Sequence, residues 1–341
     1  MIWHQSVLED LDVILGDKSL FEAYRGKRVT LLGGSGFIGK WVLSSFIHSN
    51  EFENTNIDIS VIATDAGKLK ESYGERTKDF EFLDLDFSKL PIGYCLPESD
   101  FFLHAATSTN PRSHIDGLNS ILQIAQNSTQ AIIESARKYQ NLPRVIHLSS
   151  GIVYPRDSNL VQGLPETRVV PEKVKQKSYR GAKLLIEELI TESVSAGEML
   201  AANPRLFAFS GPGLPIDEHF AVGNFLRDAL CGVPLRITGN PHTRRSYMYP
   251  TDLVTWLLTI LSDPEDIPTN VGSDVPVTLE ELANVISGIS SQSQVEIAGS
   301  VAPPDSYFPS VFTARERYGL QLKVGLEEGL VNWMRYLKKQ I

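Results

Sequence analysis

The sequence predicts an α/β fold with a doubly wound parallel sheet and a smaller, irregular C-terminal lobe. Three observations predict it. Strand and helix patterns alternate from residue 28 onwards, the strands are almost continuously apolar, and a glycine-rich turn follows the first strand. Parallel strands are covered by helices on both faces, so they lack the alternating polarity of a half-exposed sheet. A chain of 341 residues is long enough to bury such a core.

The composition and charge of the chain limit the kinds of partner that it can bind. The net charge of −9 argues against broad nucleic-acid binding, which needs a basic face. No apolar run reaches membrane length, and Glu9, Asp10 and Asp12 stand where a signal peptide carries lysines. Cys95 and Cys231 are too far apart in sequence to suggest a metal-ligand cluster, and so few cysteines suit a reducing compartment. We expect a cytoplasmic protein without a metal, nucleic-acid or membrane partner.

The elements follow in order along the chain. Leu8, Leu11 and Ile14 have helical spacing and predict an N-terminal helical extension over residues 1–26, packed on the outside of the main domain. The strands are predicted at residues 28–32, 57–64, 80–83, 100–105 and 144–148. Helices are predicted at residues 36–49, 118–139 and 179–194.

The turn after the first strand contains three glycines in the spacing Gly33-x-x-Gly36-x-x-Gly39. This turn brings backbone N–H groups and a helix N-terminus up to a pyrophosphate. Gly33 permits the tight turn, Gly36 lets the phosphates approach, and Gly39 lets helix and strand pack closely. The strand before it and the helix after it favour a dinucleotide site over a structural turn.

After Leu206 the alternation is lost and glycine and proline become frequent. We therefore predict a Rossmann-like dinucleotide-binding domain over residues 27–206, with a return segment near 245–262. A substrate-binding lobe over residues 207–341 is predicted to interleave with it, above the carboxyl ends of the strands, where open α/β sheets bind their ligands.

Two carboxylates follow neighbouring strands. Asp65 ends the second strand, where a carboxylate can bind the adenosine ribose and repel a 2′-phosphate, which favours NAD over NADP. Lys68 and Lys70 weaken this preference, and a solvated turn aspartate is the alternative. Asp84 follows the third strand and is placed either to reach the adenine edge or to cap a helix.

Tyr179 and Lys183 lie four residues apart on an amphipathic helix, so both side chains share one face. A phenol with a pKa of about 10 is a poor base at neutral pH. A neighbouring ammonium and an oxidised nicotinamide would stabilise the phenolate, which could then take the proton from a sugar hydroxyl as hydride leaves the carbon. Ser150, at the end of the fifth strand, is placed to orient the reacting oxygen, or is simply a polar strand end.

The chain resembles the extended short-chain dehydrogenase/reductases that modify nucleotide sugars. The resemblance covers about residues 27–260 and rests on six elements in order: Gly33-Gly-Ser-Gly-Phe-Ile-Gly39, His104-Ala-Ala106, Ser149-Ser-Gly-Ile-Val-Tyr154, Tyr179-x-x-x-Lys183, Arg205-Leu-Phe-x-x-x-Gly211-Pro212 and Arg245-Ser-Tyr-Met-Tyr-x-x-Asp252. It implies a seven-stranded Rossmann-like sheet, a Ser–Tyr–Lys catalytic set (Ser150, Tyr179, Lys183) and a tightly held NAD. The predicted cofactor-binding residues are Gly33, Gly36, Phe37, Ile38, Asp65, Asp84, Leu85, Ala105, Ala106, Thr107, Tyr179 and Lys183.

The resemblance also implies the partners. The substrate is expected to be a nucleotide-diphosphate sugar, bound by Ser150, with Asn224 and Arg245 at its diphosphate. Whether Arg244 or Arg245 points inward stays open. A homodimer is expected through a four-helix bundle, to which each subunit contributes the helices at 118–139 and 179–194.

Departures from the family pattern narrow the chemistry. The 4,6-dehydratases carry Thr-Asp-Glu where this chain has Ser150-Gly151-Ile152, and the decarboxylases keep a glutamate at the last of these positions. Glycine and isoleucine cannot transfer protons, so the sequence favours a 4-epimerase acting through a 4-keto sugar.

Three alternatives remain. A 4-dehydrogenase or 4-ketoreductase would use the same residues, a lyase would draw on Glu81, Asp86 or Glu166, and an NAD-sensing protein would not catalyse. Pro204 is expected to shorten or bulge the sixth strand.

Overall fold

The computed structural model describes residues 5–106, 118–155, 160–168, 170, 178–217, 220–290, 294–299 and 303–340. Its strands are β1 (Arg28–Leu32), β2 (Asp58–Ala63), β3 (Glu81–Asp84), β4 (Phe101–His104), β5 (Arg144–His147), β6 (Ser149–Ser150), β7 (Leu200–Ala202), β8 (Arg205–Leu206), β9 (Leu235–Ile237), β10 (Arg244–Arg245), β11 (Asn270–Val271), β12 (Val277–Thr278), β13 (Val295–Ile297) and β14 (Ser306–Tyr307). Its α-helices are α1 (Gln5–Leu15), α2 (Lys18–Glu22), α3 (Phe37–Glu53), α4 (Ala66–Tyr73), α5 (Leu118–Ala136), α6 (Tyr179–Ser195), α7 (Ala221–Leu230), α8 (Pro250–Ser262), α9 (Leu279–Ser290), α10 (Phe312–Tyr318) and α11 (Leu326–Lys338).

The central sheet has six parallel strands in the order β3-β2-β1-β4-β5-β7. Leu31 of β1 faces a core shared with α1, α3 and α8, whereas the next residue, Leu32, faces a second core shared with α5 and α6. Successive strand residues therefore bury against helices on opposite faces, which explains the unbroken apolar runs in the sequence. The predicted doubly wound α/β fold is confirmed.

The chain passes from the central sheet to a second sheet at two neighbouring strand ends, between β5 and β6 and between β7 and β8. β7 ends at Ala202, and β8 instead joins a second sheet in the order β11-β8-β6. Pro204 lies between β7 and β8, where its missing N–H cannot continue the ladder, although its carbonyl accepts from the Ser149 N–H at 2.9 Å. The resemblance implied seven strands in one sheet, but the described residues place six there. The second sheet begins where β5 and β7 end, and its strand β6 contains Ser150.

The predicted N-terminal helix is present as α1, which packs on α3, α8 and α11. Val7, Leu11 and Ile14 are buried on its inner face. Asp10 on the same helix is only 7% exposed and accepts a hydrogen bond from the Tyr249 hydroxyl at 2.8 Å. Burial raises the pKa of Asp10 to about 7, although the bond from Tyr249 acts in the opposite direction.

This buried carboxyl predicts a pH dependence of stability. The folded chain keeps the Asp10 proton up to about pH 7, whereas the unfolded chain releases it near the ordinary pKa of 3.8. The stabilisation is therefore complete below the unfolded pKa and is lost as pH rises through the folded one. We expect Asp10→Asn to flatten the unfolding free energy measured in urea between these limits, by at most about 1.4 kcal/mol per pH unit. The exposed Asp58→Asn is the control, and an unchanged slope in Asp10→Asn would contradict the assignment.

The C-terminal part forms smaller sheets, ordered β12-β10-β14 and β13-β9, flanked by α7, α9, α10 and α11. Helix α8 returns to the main core, where Trp256 and Leu257 are buried. The division into residues 1–26, 27–206 and 207–341 stays a prediction. No helix within the described part of the chain is both long and apolar enough to cross a lipid bilayer.

Candidate active site

The glycine turn after β1 is packed too closely for side chains at two of its positions. Gly33 has φ +88°, and a Cβ there would lie 2.8 Å from the backbone carbonyl carbon of Ala105. A Cβ on Gly39 would lie 2.5 Å from the Gly33 carbonyl oxygen. Only glycine permits this turn and this approach of helix to strand.

The middle glycine, Gly36, is different, because there is space for a Cβ at this position. A Cβ on Gly36 would meet only the Gly33 carbonyl oxygen, at 3.5 Å. Gly36 is the N-cap of the 17-residue helix α3, whose first turn contains no acid. The first N–H groups of a helix, here those of Phe37 and Ile38, lack intrahelical partners and carry partial positive charge. This arrangement fits the pyrophosphate of a dinucleotide.

Asp65 and Asp84 both cap helix α4. Asp84 Oδ1 accepts from the Ala66 N–H at 2.6 Å, and Asp65 Oδ1 accepts from the Lys68 N–H at 3.3 Å. Asp84 thus has the capping role that the sequence left open beside the adenine contact. Asp65 is exposed at the carboxyl end of β2, where its ribose contact stays a prediction.

Three further residues predicted to bind the cofactor lie along the same carboxyl edge. Ala105 and Ala106 directly follow β4, and the Ala105 N–H donates to the Leu32 carbonyl at 2.8 Å. Leu85 directly follows β3 and donates to the Ala63 carbonyl at 3.1 Å. Thr107 lies outside the described residues.

Tyr179 and Lys183 occupy the first turns of α6. The helix begins there because the Ser178 side chain caps it, accepting from the Gly181 N–H at 3.0 Å. The Lys183 Nζ lies 5.5 Å from the centroid of the Tyr179 ring. It donates to the Leu148 carbonyl at 2.6 Å and is buried. The predicted pair therefore shares one helix face at the end of β5.

The surroundings of Tyr179 in the protein do not make its phenol acidic. Burial raises the pKa of Tyr179 above its ordinary value, and the nearby Tyr307 phenol adds to the rise, whereas Ser150 lowers it. Burial lowers the pKa of Lys183 to about 7, against the opposing charge of Glu187. Because burial dominates for both groups, a phenolate at Tyr179 needs a further positive charge nearby.

Two buried histidines lie near Lys183. His104 and His147 stand side by side on β4 and β5, with ring centroids 5.0 Å apart. Burial lowers the pKa of both, that of His104 to about 3, and the charge of Lys183 acts in the same direction. Both imidazoles are therefore neutral at physiological pH.

Ser150 interacts with two tyrosines. Its Oγ accepts from the Ile152 N–H at 3.3 Å. Hydrogen-bonding interactions with Ser150 also lower the pKa values of both Tyr179 and Tyr307. Tyr307 was not among the predicted site residues, because its strand lies more than a hundred residues beyond α6 and no local motif marks it.

Gly151 and Ile152 occupy the two positions at which the resemblance implies acidic residues in the 4,6-dehydratases. A Cβ on Gly151 would lie 2.5 Å from the Cζ atom of Phe207, so the aromatic ring occupies the space of an acidic side chain. Ile152 is 44% exposed and has no proton to transfer.

The three carboxylates considered as substitutes have other roles. Glu81 lies on β3, at the far edge of the sheet, and accepts from the Ser60 hydroxyl on β2. Asp86 caps the short helix that follows β3. Glu166 is buried and accepts from the N–H groups of Asn270 and Thr313 at 3.4 and 3.3 Å. Each of these carboxylates therefore accepts a hydrogen bond within the protein.

The two adjacent arginines face different neighbours. Arg245 pairs with Asp305 at 2.9 Å, and its guanidinium lies 5.9 Å from the Tyr307 ring centroid. Arg244 stacks on Phe308 at 4.9 Å. Arg245 is therefore the arginine on the side of Ser150 and Tyr179.

The other predicted diphosphate ligand lies on α7. Asn224 Oδ1 accepts from the Arg227 Nη1 at 3.1 Å. Its contact with substrate stays a prediction, as does that of Arg245. Among the described residues, no group of three or more His, Cys, Asp or Glu side chains could hold a metal ion.

Comparisons with known proteins place this geometry in context. UDP-glucuronic acid decarboxylase 5 of Arabidopsis thaliana is 26% identical over 89% of this chain and 87% of its own length. UDP-glucuronic acid decarboxylase 1 of Xenopus tropicalis is 22% identical over 92% of this chain and 73% of its own.

Solved structures share the fold. The UDP-N-acetylglucosamine 4-epimerase of Methanobrevibacter ruminantium superposes with a TM-score of 0.75, at 17% identity over 92% of this chain and 99% of its own. The model of the NAD dependent epimerase/dehydratase family matches residues 29–272. This match confirms the resemblance and the NAD dependence predicted from the sequence. The chain belongs to the NAD dependent epimerase/dehydratase family, whose members are enzymes of the extended short-chain dehydrogenase/reductase type.

Proposed function

We propose that this enzyme is a nucleotide-sugar 4-epimerase that oxidises and re-reduces carbon C4 of the sugar. The observation that supports it best is the set of groups at the carboxyl end of β5 and β6. Ser150, Tyr179 and Lys183 meet there, while Phe207 packs against Gly151 where an elimination would need an acid. This set is sufficient to move one hydroxyl proton, and a 4-epimerase needs no other acid or base.

The cofactor site follows from the glycine turn. The N–H groups of Phe37 and Ile38 would hold the pyrophosphate, with Gly33 and Gly36 giving access, and Asp65 would hold the ribose. Leu85, Ala105 and Ala106 would line the rest of the edge, and Asp84 would support it by capping α4. Bound NAD would supply hydride acceptance from C4 and hydride return to either face.

The protein's own groups would handle the proton. Tyr179 would take it from the C4 hydroxyl, and Ser150 would hold that oxygen in position. The Lys183 ammonium, held by the Leu148 carbonyl, would add positive charge beside the phenol together with the nicotinamide ring. Both charges oppose the effect of burial on the pKa of Tyr179.

The substrate's diphosphate would bind in the C-terminal lobe. Arg245 offers a guanidinium on the same side as Tyr307, and Asn224 offers an amide on the first turn of α7. Because the chain as a whole is acidic, a local cation is needed to attract an anionic substrate.

A decarboxylase is the second candidate, because the sequence relatives described above act on UDP-glucuronic acid as decarboxylases. That reaction starts with the same oxidation at C4, after which a 4-keto uronic acid loses carbon dioxide. The two candidates therefore share Tyr179 and Ser150 and differ in the fate of the keto sugar.

A panel of UDP-, dTDP-, GDP- and CDP-sugars, followed by NMR and mass spectrometry, tests the proposal. We expect the purified protein to interconvert C4 epimers without added cofactor. Released carbon dioxide would instead identify a decarboxylase, and a 4-keto-6-deoxy sugar would identify a dehydratase. Bound NAD with no turnover of any sugar would indicate a non-catalytic NAD-binding protein.

We also propose the homodimer that the resemblance implies, formed through α5 and α6. Leu185 on α6 is half-buried and belongs to neither helix-facing core, so a partner could cover it. We expect light scattering to give twice the mass of one chain, and Leu185→Glu to give a single chain with an unchanged circular dichroism spectrum. The exposed Glu188→Gln on the same helix is the control. A wild-type chain that is monomeric at assay concentrations would refute the dimer.

A further inference from the structure

Glu187 lies one helical turn beyond Lys183 on α6, and its carboxylate is held by two neighbouring strands. Arg205 on β8 donates to both carboxylate oxygens, from Nε at 3.1 Å and from Nη2 at 2.8 Å. The Ser149 hydroxyl on β6 donates to Oε1 of the same carboxylate. The side chains of Arg205 and Glu187 are only 11% and 13% exposed, so this ion pair is largely withdrawn from water.

The same carboxylate lies close to Lys183. Residues four apart on a helix are neighbours on its surface. The two charged groups also bind consecutive residues of the chain, because Lys183 donates to the Leu148 carbonyl at 2.6 Å and Ser149 donates to Glu187. Burial lowers the pKa of Lys183, and the negative charge of Glu187 opposes this effect.

Glu187 therefore carries a negative charge beside two cations, Lys183 and Arg205. Without that charge, the cluster would hold two cations that are largely withdrawn from water. A buried cation without a counter-ion is destabilised, and release of a proton removes the charge. Because arginine does not release its proton in proteins, the lysine would do so.

The location of the lysine proton determines whether Tyr179 can act as a base. When the Tyr179–Lys183 pair holds a single titratable proton, that proton resides either on the phenol oxygen or on the lysine amine. Only the second arrangement leaves a phenolate. An anion near Lys183 favours this second arrangement, because it stabilises the ammonium.

We propose that Glu187 is a positioning residue that keeps the shared proton on Lys183 and thereby leaves Tyr179 as the phenolate. This inference rests on the proposed function, because it concerns the proton acceptor of that reaction. Glu187 acts through Lys183, since its own carboxylate oxygens are bound by Arg205 and Ser149.

Other titratable groups face this cluster and are not altered by the test. On α5, which packs against α6, Glu134 is paired with Arg137 at 2.9 Å. The groups that interact electrostatically with Lys183 or Arg205 from other elements are His104 on β4, His147 on β5, Tyr154 after β6, and Glu166.

Glu187→Gln tests the proposal, since it keeps the shape of the side chain and removes its charge. Lysine labelled with carbon-13 at Cε reports the ammonium by NMR, and the Lys183 signal is the one missing from Lys183→Met. At matched NAD content, we expect this signal to titrate at least about one pH unit lower in Glu187→Gln. The exposed Glu188→Gln on the same helix is the matched control and should leave the titration in place. An unmoved Lys183 titration in Glu187→Gln would overturn the proposal.

A double variant separates the effect of charge from that of packing. Glu187→Gln leaves the Arg205 guanidinium buried without its carboxylate, which costs stability. Combining it with Arg205→Met removes both charges, and the thioether can pack on the Tyr154 ring, whose centroid lies 4.8 Å from the guanidinium. We expect the Lys183 titration of the double variant to lie between those of the wild type and Glu187→Gln. A double variant that titrates at or below the pH of Glu187→Gln would reject the charge effect.

A third variant keeps the test available if Glu187→Gln proves too unstable to examine. Arg205→Met alone removes the competing cation and leaves the carboxylate to Lys183. The Lys183 signal should then titrate at higher pH than in the wild type, and a titration at the wild-type pH or below it would contradict the proposal.

The pH profile of kcat and KM links the Lys183 proton to turnover. For Glu187→Gln we expect kcat at neutral pH to fall about tenfold at unchanged KM. Part of this loss should be recovered at alkaline pH, where the Tyr179 phenol also loses its proton. A raised KM at unchanged kcat would indicate a role in substrate binding and would reject the positioning role. Absence of sugar turnover in the wild type would reject the proposed function alone, whereas an unmoved Lys183 titration would reject this inference alone.

Discussion

Tyr179→Phe should lower kcat by about a thousandfold while NAD stays bound. General acid–base groups typically contribute factors of this order, roughly 10² to 10⁴. The ring of Tyr179 would remain on α6 above Lys183, so only the proton acceptor is removed. Stopped-flow or steady-state turnover of the preferred sugar, together with the NAD content of the purified protein, measures both parts of the expectation.

The matched control for this variant is Tyr24→Phe. Tyr24 is also a buried phenol, but its hydroxyl donates to the Leu258 carbonyl in the core beneath α8. We expect that variant to keep its turnover and to lose only stability. Full activity of Tyr179→Phe would show that another group takes the sugar proton.

Alanine at Gly33 should lower the stability of the protein, whereas alanine at Gly36 should lower its affinity for NAD. Gly33→Ala places a Cβ against the Ala105 backbone at a positive φ, so we expect a loss of at least about 2 kcal/mol in unfolding free energy. Gly36→Ala has space for its Cβ next to the turn, so the protein should fold normally. The added methyl group would instead keep the pyrophosphate from the N–H groups of Phe37 and Ile38.

Calorimetry of NAD binding and urea unfolding of the same preparations separate these effects. For Gly36→Ala we expect NAD affinity to fall about tenfold or more at unchanged stability. Gly288→Ala on α9, where a Cβ would meet nothing within 4 Å, is a control for the general effect of a new methyl group. Wild-type NAD affinity in Gly36→Ala would show that the phosphates do not approach this glycine.

Much of the fold could be predicted because parallel strands that are buried on both faces have almost continuously apolar sequences. The predicted strand at residues 28–32 has the bounds observed for β1, and the others differ by one or two residues. The helix at 179–194 ends one residue later, at Ser195. Local patterns suffice here, since β1, β4 and β5 are buried along almost their whole length and the helices that cover them are amphipathic.

The rest depended on contacts between distant residues. Phe207 fills the space beside Gly151, and the register of two short strands pairs Tyr307 with Arg245. The transfer of β8 to a second sheet depends on Pro204 together with the partners β6 and β11. None of these pairings has a local sequence pattern, because each is fixed by tertiary packing.

Isotope retention at C4 is the most direct measurement of the proposed chemistry. A nucleotide sugar carrying deuterium at C4 is converted by the purified protein in ordinary water, and both epimers are then analysed by NMR. We expect the deuterium to remain at C4 in both, because the hydride leaves and returns to the same carbon. Loss of deuterium from C4 without reduction of free cofactor, or exchange of the C5 proton with solvent, would contradict a redox 4-epimerase.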